Sequence, residues 1–379
     1  MTTIRDFTIT RFSFRRDRII GDSQVRAEFC HTAALELHTD DGLTGLGFML
    51  HLFHPLPDRS ELERAFRLEA LPGLRGQPPA GLIHRVLRPR GGNNRALPHG
   101  FGEAIDQALW DLAAQQAGLP LYRYLGGSDP FVRAYASGLD YHLTDGQFSR
   151  FFKAAHELGF RAFKIKVGNP DLAWDLNRLR LLQDAVGPGA TVMVDANEAW
   201  TPKEAIRRLH AYRNAGFDIF WIEDPCIRDD YEGLRQVSEA VPFAHVNTGE
   251  YLDLAGKRRL IAARGVDILN VHGRVSDVLR AGWLAAEFGV RVSLGNTFLE
   301  VGVHLAAALP EADWIEYSFQ NYKHLATTPI EFRDGFAIAP DRPGHGLTLS
   351  DEARRDHAVA TIAEGLRPMT APPGPISCN

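Results

Sequence analysis

The first fifty residues alternate apolar and polar positions with period two. "IRDFTITRFSF" and "TAALELHTDDGLTGLGFML" put every second side chain on one face, as half-buried antiparallel strands do, and "DDG" supplies a turn. The pattern changes at "HGFGEAIDQALWDLAAQQAG". There Ile105, Ala108, Leu109 and Leu112 recur at helical spacing, and Gly118 is placed to end the helix. Strands first and a helix after predict an α+β domain over residues 1–125.

Beyond it a unit repeats. Short β-rich runs fall at 132–137, 162–167, 191–196, 219–224, 243–250, 268–273, 291–296 and 314–319. Most gaps hold one amphipathic helix, such as "DGQFSRFFKAAHELG" or "PKEAIRRLHAYRNAG". Eight strands joined by helical crossovers predict an α/β barrel over residues 126–325. That span is short for eight full units, so the last helical unit is expected to be degenerate or missing. Residues 326–379 read as strand and turn and are expected to return to the first domain. The Pro-rich tail "TAPPGPISCN" is expected to be loosely held.

Composition narrows the classes. The 379 residues are 45% hydrophobic and 23% charged, as in a soluble globular protein, and the net charge of −5 carries no basic signal for nucleic acid or a membrane surface. No apolar run reaches the length of a membrane span, and "MTTIRDFTITRFSFRRDR" lacks the apolar core of a signal peptide. Cys30, Cys226 and Cys378 are odd in number and scattered, neither a disulfide framework nor a zinc pattern. The expected compartment is the cytoplasm.

The chemistry lies at the ends of the barrel runs, where such folds build their sites. The second run carries Lys164 and Lys166. The later runs carry Asp195 (with Asn197 two positions on), Glu223, Glu250, His272, Asn296 and Glu316 in turn. From Lys166 onward the separations are 29, 28, 27, 22, 24 and 20 residues, each about one βα unit, so these groups ring one rim. Taken singly, each has a plainer explanation: a carboxylate as a helix N-cap, a lysine pair on a solvent face, a histidine satisfied by a neighbour. Jointly, three carboxylates in a barrel mouth repel and are costly to desolvate, and a hard divalent cation removes that cost. Oxygen-only ligands favour Mg²⁺ or Mn²⁺.

Lys164 and Lys166 point the same way from one strand, about 6.6 Å apart. At an effective dielectric of about 20 they repel by about 2.5 kcal/mol, enough to bring one lysine toward a pKa of about 8.5. That lysine is expected to act as a base while the other holds an anionic substrate. The implied chemistry is proton abstraction beside a carboxylate, with the ene-diolate held by the metal.

The motifs "FKIKVG", "VMVDANEAW", "WIEDP" and "NTGEYL", with "AIDQALWDLAAQQAGLPLYRYLGG", resemble the mandelate racemase and muconate lactonizing enzyme branch of the enolase superfamily. The likeness covers nearly the whole chain. It implies an α+β capping domain on a modified TIM barrel of (β/α)7β type. It also implies Asp195, Glu223 and Glu250 as Mg²⁺ ligands, Lys166 as base, Lys164 near the substrate carboxylate, Asn197 on the metal side, and Glu316 at the eighth strand. Capping loops at 16–24 and 49–57, the latter with His51 and His54, would set specificity. Such proteins form homo-oligomers from dimers to octamers.

The second half of the barrel departs from the branch's best-known patterns. The racemase-like pattern has Asp at the sixth strand and His at the seventh; the cycloisomerase-like pattern has Lys at the sixth. This chain has His272 at the sixth and Gly295 or Asn296 at the seventh, and Ser276 and Asp277 stand near where a double glycine is usual. His272 becomes the candidate second acid/base, opposite Lys166; the alternative is that it only hydrogen-bonds substrate or a neighbour. The expected activity is Mg²⁺-dependent dehydration of a hydroxylated carboxylate, an acid sugar, to a 2-keto acid. A polar pocket with His51, His54, Asn197 and Asn296 suits a polyol. The rival readings are a racemase or epimerase with Lys166 and His272 as opposed bases, and a non-catalytic scaffold. The expected partner is a small-molecule carboxylate.

Overall fold

A computed structural model describes residues 2–49, 55–83, 85, 97–295, 299, 301–320 and 322–360. Strands β1 (Ile4–Gly21), β2 (Arg26–Thr39) and β3 (Thr44–Met49) form an antiparallel sheet in the order β1-β2-β3. Their inward positions, among them Ile9, Leu35 and Leu37, pack with helix α1 (Arg59–Glu69), the short turns α2 (Leu71–Leu74) and α3 (Pro79–Leu82), and α4 (Phe101–Gln116). Gly47 lets α4 approach: a Cβ there would overlap the carbonyl of Ala104. Edge strand β3 is not left open. Gln107 and Asp111 of α4 accept the N–H groups of Phe48 and Leu46 at 3.1 and 3.0 Å. Gly118 closes α4 with a positive φ of 66°, where only a residue without Cβ is unstrained.

After α5 (Leu121–Tyr124) comes the barrel: β4 (Phe131–Ser137), α6 (Asp145–Glu157), β5 (Ala162–Lys166), α7 (Leu172–Val186), β6 (Thr191–Asp195), α8 (Pro202–Asn214), β7 (Trp221–Glu223) and α9 (Tyr231–Ala240). It continues with β8 (His245–Thr248), α10 (Leu254–Ala262), β9 (Ile268–Val271), α11 (Val275–Glu287), β10 (Arg291–Leu294), α12 (Gly302–Ala306) and β11 (Ala312–Tyr317). Neighbouring strands are parallel, and β11 pairs with β4 to close the ring. All eight runs read from the sequence are strands. The last crossover helix, α12, is short, and among the described residues no helix of barrel length follows β11. This is the (β/α)7β form.

Alternation along each strand sorts the interior. Tyr135, Ala162, Met193, Trp221, Ile268 and Trp314 cluster in the lower bore, while Phe163, Ile165, Val194 and Ile222 face the helices in the main core. The next inward positions upward are Lys164, Lys166, Asp195 and Glu223. The sequence thus closes the bottom of the bore with apolar groups and leaves the top polar.

The remaining chain, with β12 (Glu331–Arg333), β13 (Phe336–Ile338) and α13 (Asp351–Asp356), runs back over the first sheet. The hairpin β12–β13 adds antiparallel to the start of β4. Beyond it Arg354 pairs with Glu36 at 2.6 Å, and Ala358 bridges Phe12. The tail from 361 onward lies outside the described residues.

Candidate active site

The plainer reading of the strand-end carboxylates, as helix N-caps, fails. Helices α8, α9 and α10 are capped by Thr201, Asp230 and Asp253, each accepting a backbone N–H of the first turn. Asp195, Glu223 and Glu250 are therefore free to turn into the bore. Register places Lys166 beside Asp195 and Asp195 beside Glu223. Gly249, at φ 111°, makes the turn that carries Glu250 just past β8. Asn197, Glu198 and Asp224 all hold left-handed φ angles of 40–63° at this rim, the kind of backbone cost that persists where surrounding structure fixes a functional geometry.

Lys164, Lys166, Asp195, Asn197, Glu223, Glu250, His272 and Glu316 line one cavity of about 230 Å³. Lys164, only 2% exposed, donates to Glu223 Oε1 at 2.6 Å and lies 3.1 Å from Glu316 Oε1 and 3.6 Å from Asp195 Oδ2. Lys166, 5% exposed, donates to Asp195 Oδ2 at 2.5 Å and Asn197 Oδ1 at 2.7 Å. His272 follows β9, four strands around the closed ring from β5, and so faces the lysines across the bore. His51, His54 and Asn296 lie outside the described residues.

One expectation is overturned. Mutual repulsion was expected to lower one lysine, yet both are held above the usual lysine value. Burial is the strongest single influence and pushes each down, but the acids together outweigh it: Glu223, Glu316 and Asp195 on Lys164, and Asp195 with Asp22 and Glu223 on Lys166. The carboxylates touch the ammoniums, whereas the ammoniums stand a two-residue strand step apart, so attraction wins.

The acids respond unequally. Burial raises Asp195, but Lys166 and Lys164 outweigh it and hold it low. Burial, with Asp195, Glu316 and Glu250 nearby, drives Glu223 well up despite Lys164. Burial and then Glu316 push Glu250 up to about 7, and burial and Glu250 push Asp224 up to about 7.

Among the described residues no three carboxylate, imidazole or thiol groups form a ready-made metal cluster, because the lysines engage the near oxygens of Asp195 and Glu223. The residues nevertheless fit a hard cation. Glu223 Oε2 is buried without a hydrogen-bond partner, the three acids all offer oxygen, and their crowding raises two of them.

The sequence reading missed several lining groups. Arg228 forms a bidentate pair with Glu198 at 2.5 and 2.6 Å and stacks on Tyr251, which faces Glu250. Ser318 and Gln320 extend the β11 wall. Their only sequence signal is position: each lies at the end of a barrel run or within a few residues past it. The turn after β1 brings Asp22 and Gln24 over the mouth. It is pinned by Arg18, which donates to the carbonyls of Phe319, Ser318 and Gly138 at 2.7, 3.1 and 3.2 Å. Ser276, near the missing double glycine, has a structural task. It donates to Asp106 of α4 through N and Oγ, so the first domain caps α11.

Residues 147–353 match the family described as Enolase C-terminal domain-like. The chain is 35% identical to the L-talarate/galactarate dehydratase of Salmonella typhimurium (strain LT2) over 66% of its own length and 63% of that enzyme's, less than two thirds of the latter. It superposes on a proposed mandelate racemase from Mesorhizobium loti with a TM-score of 0.92 and 52% identity, covering 98% of this chain and 99% of that one. A racemase from Streptomyces coelicolor A3(2), solved with bound magnesium, gives a TM-score of 0.83 at 27% identity, covering 94% and 100%. Family match, closed barrel and capping sheet agree: the chain belongs to the Enolase C-terminal domain-like family, in the mandelate racemase and muconate lactonizing enzyme branch of the enolase superfamily.

Proposed function

We propose that this chain is a Mg²⁺-dependent lyase that dehydrates a hydroxylated carboxylate, an acid sugar, to a 2-keto acid. The observation that carries the reading is the convergence of Lys164, Lys166, three acids and His272 on one cavity. Similarity to a talarate/galactarate dehydratase supports it. Asp195, Glu223 and Glu250 would hold the cation. When bound, the cation supplies Lewis acidity toward the substrate carboxylate and offsets the charge with which Asp195 keeps Lys166 protonated.

The rest falls to the chain's own groups. Lys164, fixed by Glu223 and Glu316, presents a positive charge to the substrate carboxylate. Neutral Lys166 takes the proton from the α-carbon, and Asn197 keeps its Nζ aimed. The electron pair left behind forms the α,β double bond as the β C–O bond breaks. His272, on the opposite wall, gives a proton to the departing hydroxyl, which leaves as water. The enol then tautomerises to the 2-keto acid.

The same opposition of Lys166 and His272 favours a second reading, racemisation or epimerisation, and a racemase stands among the structural relatives. One experiment separates them: Mg²⁺-loaded protein is incubated with acid sugars in D₂O. Dehydration yields a 2-keto acid; racemisation returns substrate of both configurations deuterated at the α-carbon. Neither product from any carboxylate tested sinks the enzyme reading.

The pH dependence of metal binding follows from Glu250. Its folded pKa of about 7 stands above the ordinary 4.5, so the metal-free fold holds that proton more tightly than the unfolded chain. Its contribution to stability is thus present at low pH and lost as pH rises from about 4.5 to about 7. A cation must displace the same proton, so Mg²⁺ binds less well below about 7. The rise in melting temperature on adding Mg²⁺ should grow steadily from pH 6 to pH 8. A rise independent of pH removes Glu250 from the ligand set.

A further inference from the structure

The cavity's charges are unevenly matched. Among the described residues its lining carries six carboxylates, Asp22, Asp195, Glu198, Glu223, Glu250 and Glu316, against the cations of Lys164, Lys166 and Arg228. Each cation is already committed. Lys164 and Lys166 serve Glu223, Glu316 and Asp195, and Arg228 gives Nε, one terminal nitrogen and its backbone N–H to Glu198. Among the described residues Asp22 and Glu250 are the lining carboxylates with no cation within ion-pair distance, and of these two Asp22 stands on the turn at the mouth. It does not sway. Oδ1 accepts the N–H groups of Gln24 and Val25 at 2.7 and 3.1 Å, Gly21 donates to Leu139 O at 2.9 Å, and Gln24 Nε2 donates to the backbone carbonyl of Asn197. Those bonds use Oδ1 and leave Oδ2 out. The carboxylate is also near enough to Lys166 for its charge to act on that ammonium.

We propose that Asp22 sets specificity: the site takes polyhydroxy monocarboxylates, whose far end offers hydroxyl donors, and rejects dicarboxylates. This rests on the reading of the cavity as a metal-assisted carboxylate site. The reacting carboxylate goes to the cation and Lys164. The far end of the substrate then meets Asp22, Gln24, Ser318 and Gln320. A hydroxyl there donates to Asp22. A second carboxylate meets a like charge in a part-buried mouth, with each cation of the described lining already bonded to an acid. Even with a divalent cation and one substrate carboxylate in place, the described lining keeps a negative balance.

The test is equilibrium binding to the Mg²⁺-loaded protein. Matched C6 acids that differ only at the far carbon, gluconate against glucarate and the corresponding pairs across the C2–C5 epimers, are titrated calorimetrically at pH 7.5. The best-bound monoacid should exceed its matched diacid at least tenfold. Asp22→Asn keeps the Oδ1 acceptor of the turn and removes the charge. It should bring the ratio within about threefold by improving the diacid, with Mg²⁺ affinity unchanged. A diacid bound as well as or better than its monoacid in the unaltered protein overturns the proposal. So does an unchanged ratio in Asp22→Asn, or a failure of every pair to bind. The unaltered protein decides the first point even if the variant does not fold. Absence of a 2-keto acid or of α-deuteration, with the binding preference intact, instead counts against the proposed reaction alone.

Discussion

Lys166→Ala in the Mg²⁺-loaded protein should lower kcat by about 10²–10⁴-fold, the usual worth of a positioned general base, and should suppress α-proton exchange in D₂O to the same degree. Two features make this variant readable. Lys166 bonds Asp195 and Asn197, and Asp195 keeps a second cation, Lys164 Nζ, 3.6 Å away. Removing Lys166 therefore leaves Asp195, the acid it bonds, with a positive charge nearby, and the fold and Mg²⁺ binding should persist. The loss should appear in kcat more than in KM, because the amine acts on a proton in transfer and Lys164 still meets the carboxylate. Added primary amines that restore exchange would mark the missing group as a base. Turnover kept within tenfold rejects Lys166 in that role. A loss of metal affinity equal to the loss of rate would recast it as a support for Asp195.

Most of the frame could be read from the chain because two signals are local and coincide. Period-two runs gave the strands, and what each run ends with gave the rim. The 20–29-residue spacing of those ends is the length of a βα unit, so a barrel was the topology that put them together. Three things could not be read this way. The sign of the lysine shift was one. Lys164 and Lys166 are neighbours in sequence, so their repulsion was visible, while the carboxylates that overcome it come from β6, β7 and β11. The anchoring of Asp22 and Gln24 was another: the family resemblance implied a specificity loop at 16–24, but period and spacing did not say which of its side chains reach the cavity. That anchoring depends on Arg18 reaching carbonyls 120 to 301 residues away, and no periodicity records such a pairing. The third was the task of Ser276, which is clear only once α4 of the first domain lies against α11. In each case a long-range polar contact decided the outcome, and a single sequence carries no register for those.

Lys164→Met should cost about 3–5 kcal/mol of folding stability in chelator at pH 8, the largest such effect at the site. The lysine is buried, and it is the cation in contact with both Glu223 and Glu316. Methionine fills the same stem but leaves two buried carboxylates uncompensated, and Glu223 Oε2 already lacks a partner. The penalty should depend on pH in a direction fixed by linkage. In the unaltered protein Lys164 helps hold Glu316 below the usual 4.5, so that contribution is present at neutral pH and is lost as pH falls. In the variant, Glu316 moves above its unfolded value, so the penalty is present at high pH and is relieved as the carboxyls take up protons. Urea midpoints of the two proteins should therefore converge between pH 8 and pH 5. Mg²⁺ should recover part of the loss at pH 8 by neutralising Glu223. Converting both acids as well, in Lys164→Met/Glu223→Gln/Glu316→Gln, should regain most of it without metal, because the cost lies in the stranded charges rather than in the missing bonds. Midpoints that stay apart by the same interval at every pH would place the cost in packing instead, and would remove the argument that this buried ion network is held for its charge.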